Sequence, residues 1–233
     1  MSVLTSLGIL ILSMLIMAFL QLSPGIFTLI SHYAFGKFSK NKASDLSIFF
    51  IFGVEIINAI IFLAIYLIIC ALAVTPFKTT YLEIILFPIL VALIFFFPLF
   101  YFRKGKTTSL FISRGLAKMY DEKAKTVKSR SDAFILGVTS VLPELFITIP
   151  LYCVSAIEIM KLGENPISRA VLVIFFVLSS ILPHLIIHSL RHFHYNLADI
   201  LRFRINNKTF LKIFLGILFL LLSILIITFR ISL

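Results

Sequence analysis

The chain has 233 residues, 61% of them hydrophobic and 13% charged, with a mean hydropathy of +1.12. Soluble domains lie nearer about 45–50% apolar and about 25% charged, so a water-soluble globule is excluded, and the length excludes a large multi-domain machine. The excess of 21 Lys and Arg over 10 Asp and Glu, net +11, then serves to orient a membrane chain rather than to bind nucleic acid.

A bilayer core about 30 Å thick takes roughly 20 apolar residues per helix, and six stretches meet that length. The first lies within Val3–Tyr33. It has neither a basic leading region nor a small-residue cleavage site, so it reads as a mature helix rather than a signal peptide. As one helix it measures roughly 46 Å at 1.5 Å per residue. Either its start projects outward or the span is broken, and Ser23-Pro24-Gly25 is the expected break. Proline there lacks a backbone donor and glycine accepts irregular dihedrals. The second span, about Leu46–Ala73, carries Glu55 near its midplane and Asn58 one turn further on the same face. The third is about Tyr81–Phe102.

A loop, Arg103–Ser131, follows with nine basic residues. Its Leu110, Phe111, Arg114, Leu116, Ala117, Met119 and Tyr120 suggest a short helix lying on anionic cytoplasmic lipid; a solvated basic linker is the alternative. The fourth span, Ala133–Ser155, holds Glu144 directly after Pro143. The fifth, Ala170–Leu190, holds His184 after Pro183, with His188 four residues later on the same face. The sixth is Phe210–Thr228. Cys70 and Cys153 lie inside apolar runs without metal or redox spacing and read as small core residues. Glu83 and Glu158 fall near outer helix ends, within reach of water; His192 and His194 belong to a basic loop.

Seventeen of the 21 Lys and Arg fall in the loops after spans one, three and five and the start of span six. Only Lys78, Lys161, Arg169 and Arg230 lie on the other side. Positive charge stays in the cytoplasm, which places both termini outside. The expectation is an integral multi-pass protein of a prokaryotic plasma membrane.

The two halves share an order of features. Ser23-Pro24-Gly25-Ile26-Phe27 faces Leu142-Pro143-Glu144-Leu145-Phe146, and Leu82-Glu83-Ile84-Ile85-Leu86 faces Leu211-Lys212-Ile213-Phe214-Leu215. With three spans each, residues 1–102 and 132–233 form a 3+3 inverted-topology repeat joined by the basic linker 103–131. Many secondary transporters are built this way. Paired breaks at Pro24 and Pro143 would free backbone groups for a polar substrate; the bland alternative is that both prolines merely kink packed helices.

Ionisable side chains at membrane depth are costly and usually functional. Glu55, Glu144 and His184 facing one cavity can bind a cation or carry protons. As a plainer alternative, each only satisfies a neighbouring helix.

The stretch Ser23 to Ile30, then Gly36 before a basic turn and Gly53 in span two, resembles the first repeat of the LysE-type amino-acid exporter family. Phe134-Ile135-Leu136-Gly137 leading into Leu142-Pro143-Glu144 is similar to its second repeat, and Phe210 to Gly216 to its last helix. The resemblance implies an all-α, six-span protein that exports a small solute, driven by protons. The chain departs from the family at Ile26 for a proline, Leu142 for an asparagine and Glu144 for a lysine. A glutamate in place of the lysine suits a cation or amine rather than a carboxylate. Thiol–disulfide carriers of the same superfamily are excluded by Gly25 in place of a cysteine and by the distant Cys153.

The expectation is therefore an exporter of an amino acid or organic cation. Its substrate-binding residues would be Ser23, Pro24, Gly25, Glu55, Asn58, Pro143, Glu144 and His184. One alternative is a divalent metal exporter with Glu55, Glu144 and His184 as ligands. Another is a membrane scaffold without transport. No His-Glu-x-x-His, Gly-x-Ser-x-Gly or paired catalytic Asp motif is present, so neither an enzyme nor a cofactor is expected. The partners are the solute or cation, the bilayer and anionic lipid, with no nucleic acid and a homodimer left open.

Overall fold

A computed structural model of the chain describes residues 3–34, 40–74, 114–142, 145–192 and 206–231. These form seven helices, and no strand occurs among the described residues. They are α1 (Val3–Ala34), α2 (Lys40–Val74), α3 (Arg114–Thr126), α4 (Arg130–Val141), α5 (Leu145–Leu162), α6 (Pro166–His192) and α7 (Lys208–Ile231).

Four stretches among the described residues are long and apolar enough to cross a bilayer: Val3–Gln21, Lys42–Leu72, Pro166–Ser189 and Thr209–Thr228. They match the first, second, fifth and sixth expected spans. The third, Tyr81–Phe102, lies outside the described residues. The fourth, Ala133–Ser155, is divided between α4 and α5, whose ends are Val141 and Leu145.

One expectation is corrected. α1 is helical for 32 residues and runs through Ser23-Pro24-Gly25 without a break, a length of about 48 Å. A proline in a membrane helix is tolerated where neighbouring helices relieve the lost bond, and α1 packs against α5, α6 and α7. The corresponding Pro143 and Glu144 lie outside the described residues.

The helices bury one side and leave the other apolar. Ile48, Phe52, Ile56, Ile60, Leu63 and Leu67 line the outside of α2, and Val171, Ile174, Leu178, Leu182 and Leu185 the outside of α6. Apolar surface on this scale faces lipid rather than water. α5 differs: Leu151, Tyr152, Val154, Ser155, Ala156, Ile157 and Ile159 are all buried, so it is the central helix.

α2 and α4 come into backbone contact. A Cβ placed on Gly53 would collide with the carbonyl oxygen of Phe134, and one on Gly137 with that of Phe50. The contact is reciprocal and needs both glycines, the small-residue packing by which membrane helices come together. α4 starts in a capping box. Ser129 Oγ accepts from the Asp132 amide at 3.1 Å, and Asp132 Oδ2 accepts from the Ser129 amide at 3.0 Å. Arg130 Nε then reaches Asp45 Oδ2 at 2.7 Å, tying α4 to the start of α2.

The basic loop does contain a helix, α3. Its Tyr120 and Ala124, with Val127 just beyond, pack into an apolar cluster with Phe50, Val54 and Leu136. Lys118, Glu122, Lys123 and Lys125 stay exposed. Tyr120 donates its phenol to the carbonyl of Thr139 at 2.6 Å, near the end of α4.

Candidate functional site

Three helices meet around a buried polar group. On α2, Glu55 and Asn58 share a face with Phe62 at helical spacing. On α6, Phe176, Ser180 and His184 recur at intervals of four and also share a face. α5 presents Thr148, Tyr152 and Ser155 on one side.

Glu55 is 6% exposed and His184 is fully buried. Glu55 Oε1 lies 3.3 Å from His184 Nδ1, a close approach without hydrogen-bond alignment. The other carboxylate oxygen, Oε2, is 2.7 Å from Ser180 Oγ. One turn further along α2, Asn58 Oδ1 accepts from the Tyr152 hydroxyl at 3.0 Å.

Aromatic rings close this group on one side. Phe62 and Phe176 stand 4.3 Å apart between centroids, Phe62 and Tyr152 5.5 Å, and Tyr152 and Phe176 6.1 Å. Phe62 is seven residues beyond Glu55, about 10 Å along the helix. The polar pair and the rings are therefore successive layers of one interior.

The polar layer is under-satisfied. Glu55 Oε1, Asn58 Nδ2, both ring nitrogens of His184, Thr148 Oγ1 and Ser155 Oγ form no hydrogen bond among the described residues. On α1, Gln21 is fully buried with both amide atoms in the same condition. Leaving such a group unpaired costs about 1–3 kcal/mol. The unmatched atoms include the donor Asn58 Nδ2 and the acceptor Glu55 Oε1, so the layer offers both a donor and an acceptor.

Of the residues expected at a site, Glu55 and His184 come together directly, and Asn58 joins the layer through Tyr152. Ser23, Pro24 and Gly25 lie in α1, and Pro143 and Glu144 fall outside the described residues. Among the described residues no group of three or more His, Cys, Asp or Glu is placed to hold a metal ion.

Glu158 departs from its expected position in reach of water. It is 4% exposed and its Oε1 holds Lys161 Nζ at 3.0 Å, leaving Oε2 without a hydrogen bond. Because α5 is central, nearness to a helix end does not bring solvent to it. Ser180 and Tyr152 were not singled out by the sequence. The spacing of Ser180 four residues before His184 is the signal that could have found it.

A scan against protein-family models and searches of curated proteins and of solved structures find no match.

Proposed function

We propose that the chain is a secondary exporter of a small solute, an amino acid or organic cation, coupled to protons. The observation that carries this reading is the Glu55–His184 pair, sealed between α2 and α6 with Ser180 on its second oxygen. Burying a carboxylate and an imidazole in a membrane bundle is costly. Structural needs at that depth are met more cheaply by apolar residues.

The fold proposed with it is six spans in a 3+3 inverted repeat, as in the LysE-type exporters. What supports this is the pairing of helices. α1 packs against α6, while α2 packs against α4 and α5; exchanging the two halves turns one of these pairings into the other. The excess of basic residues after spans one, three and five supports termini outside, and the exposed lysines of α3 support contact with anionic lipid.

The test is flux in proteoliposomes. Counterflow of basic and neutral amino acids and of organic ammonium ions is measured across a pH gradient. Glu55→Gln is expected to abolish flux while leaving the amount of folded protein unchanged. Unchanged flux in that variant refutes the reading.

A further inference from the structure

α3 is 13 residues long, and its two sides differ. Tyr120, Ala124 and the following Val127 are each no more than 5% exposed, inside the cluster that also holds Phe50, Val54, Leu136 and Ile187. Lys118, Glu122, Lys123 and Lys125 are exposed. Lys118 and Glu122 stand 3.8 Å apart with both side chains largely in solvent, where such a pair is worth little.

A helix of this kind lies on a membrane with both sides in use. The apolar side enters the lipid boundary and the basic side meets anionic headgroups. In this structure the apolar side is already taken, because α3 packs against α1 and α4. The docked position and the membrane-surface position therefore compete for Tyr120, Ala124 and Val127, and α3 can occupy only one of them at a time. Away from both it has little helical stability of its own, since an isolated helix this short is marginal in water.

One specific bond pins the docked position. In a continuous α-helix the carbonyl of Thr139 accepts from the amide of residue 143, and residue 143 is a proline, which has no N–H. The Leu142 amide donates to that carbonyl instead, one residue nearer. Tyr120 donates its phenol to the same carbonyl at 2.6 Å, filling the place of the missing proline amide. The start of α4 needs nothing from α3. Ser129 and Asp132 cap it, and Arg130 holds Asp45. The joint between α3 and α4, residues 127–129, is non-helical. α3 can leave without unravelling α4, giving up its apolar packing and the Tyr120 bond.

We infer that α3 is a two-position strap, either docked against α1 and α4 or lying on the bilayer surface, and that anionic lipid headgroups draw it off the protein. This goes beyond contact of its lysines with lipid, which the docked position also allows. It links the surface charge of the membrane to the end of α4, because departure of α3 takes away the phenol that meets Thr139. The inference does not depend on transport.

The experiment uses the full-length chain in lipid nanodiscs, with Cys70 and Cys153 replaced by alanine and nitroxide labels on Glu122→Cys and Glu164→Cys. Both positions are exposed, and no lysine is lost. Pulsed electron spin resonance reads the distance between the labels. In phosphatidylcholine one distance, that of the docked strap, is expected. In an equal mixture with phosphatidylglycerol a second distance should appear and take most of the population. High salt should restore the first, because screening weakens attraction at a charged surface. Lys118→Gln, Lys123→Gln and Lys125→Gln combined should abolish the second distance in the anionic discs. Tyr120→Phe should raise its share at any given phosphatidylglycerol content. A single unchanged distance in both lipids overturns the strap, even if the lysines still bind headgroups. A second distance of equal share in both lipids, or one that survives the triple lysine change, overturns anionic lipid as the partner. An unmoved share in Tyr120→Phe overturns the pin.

Discussion

The hydroxyl of Tyr152 on the central helix donates to the side-chain oxygen of Asn58 on α2 at 3.0 Å, joining the polar layer to the aromatic one. The same residue supplies the bond with its oxygen and the seal with its ring. Tyr152→Phe keeps the ring packing against Phe62 and Phe176 and removes the bond. The expected loss is about 1 kcal/mol of stability, read as a lowered Tm in detergent. Combining it with Asn58→Ala should cost less than the sum of the two, because each single change leaves a buried partner unpaired. Additive losses would show that the two do not interact.

The reciprocal contact of α2 with α4 makes a sharper forecast. Gly53→Ala or Gly137→Ala drives a methyl into backbone of the facing helix. Overpacking of this kind costs about 1–3 kcal/mol or more. Gly8 and Gly216 are the controls, since a Cβ there meets nothing within 4 Å. Alanine at those positions should be neutral or stabilise by about 0.5–1 kcal/mol. Thermal unfolding of the four single variants checks the contrast.

At the start of α4 the Asp132 carboxyl is held below the usual carboxylate range, first by the Ser129 side chain and then by the amides of Lys128 and Ser129. A lowered value in the folded state means a contribution present above the unfolded value of about 3.9. That contribution is lost as pH falls through the folded value. The cap should hold throughout the neutral range and open only in acid below ordinary carboxylate titration. Hydrogen exchange at the first turn of α4 measures this. Asp132→Asn should show no acid step there.

The orientation of the chain is open to chemical labelling. With Cys70 and Cys153 replaced by alanine, Lys123→Cys on exposed α3 and Glu164→Cys between α5 and α6 supply one thiol each. An impermeant maleimide added to intact cells should reach Glu164→Cys and miss Lys123→Cys. The opposite pattern would invert the topology.

Glu55 and His184 stood out in the sequence because an ionisable residue in an apolar run is conspicuous whatever surrounds it. The helix spacing that put Asn58 beside Glu55 is equally local. Tyr152 and Ser180 carry no such mark, because serine and tyrosine are ordinary in membrane helices. Only the meeting of α5 and α6 with α2 gives them partners. Glu158 was misplaced for a related reason: depth along a helix follows from counting residues, whereas burial depends on what stands around the helix. The helix through Ser23-Pro24-Gly25 is a third case. Local chemistry marks a weak point in α1, and the packing of its neighbours decides whether the chain yields there. At Ser129 the Ser-x-x-Asp pattern before an apolar run is a local start signal for α4 that was not singled out in the sequence.

The glycine crossing has one more consequence. At the Gly53–Gly137 crossing the two backbones touch directly, and Phe50, Val54, Ala133 and Leu136 pack around that point, a joint that favours movement of α2 and α4 as one piece. The seam holding unmatched hydrogen-bonding atoms runs elsewhere, between α2, α5 and α6. Motion that opens this bundle would part that seam and leave the α2–α4 joint as its hinge-free frame.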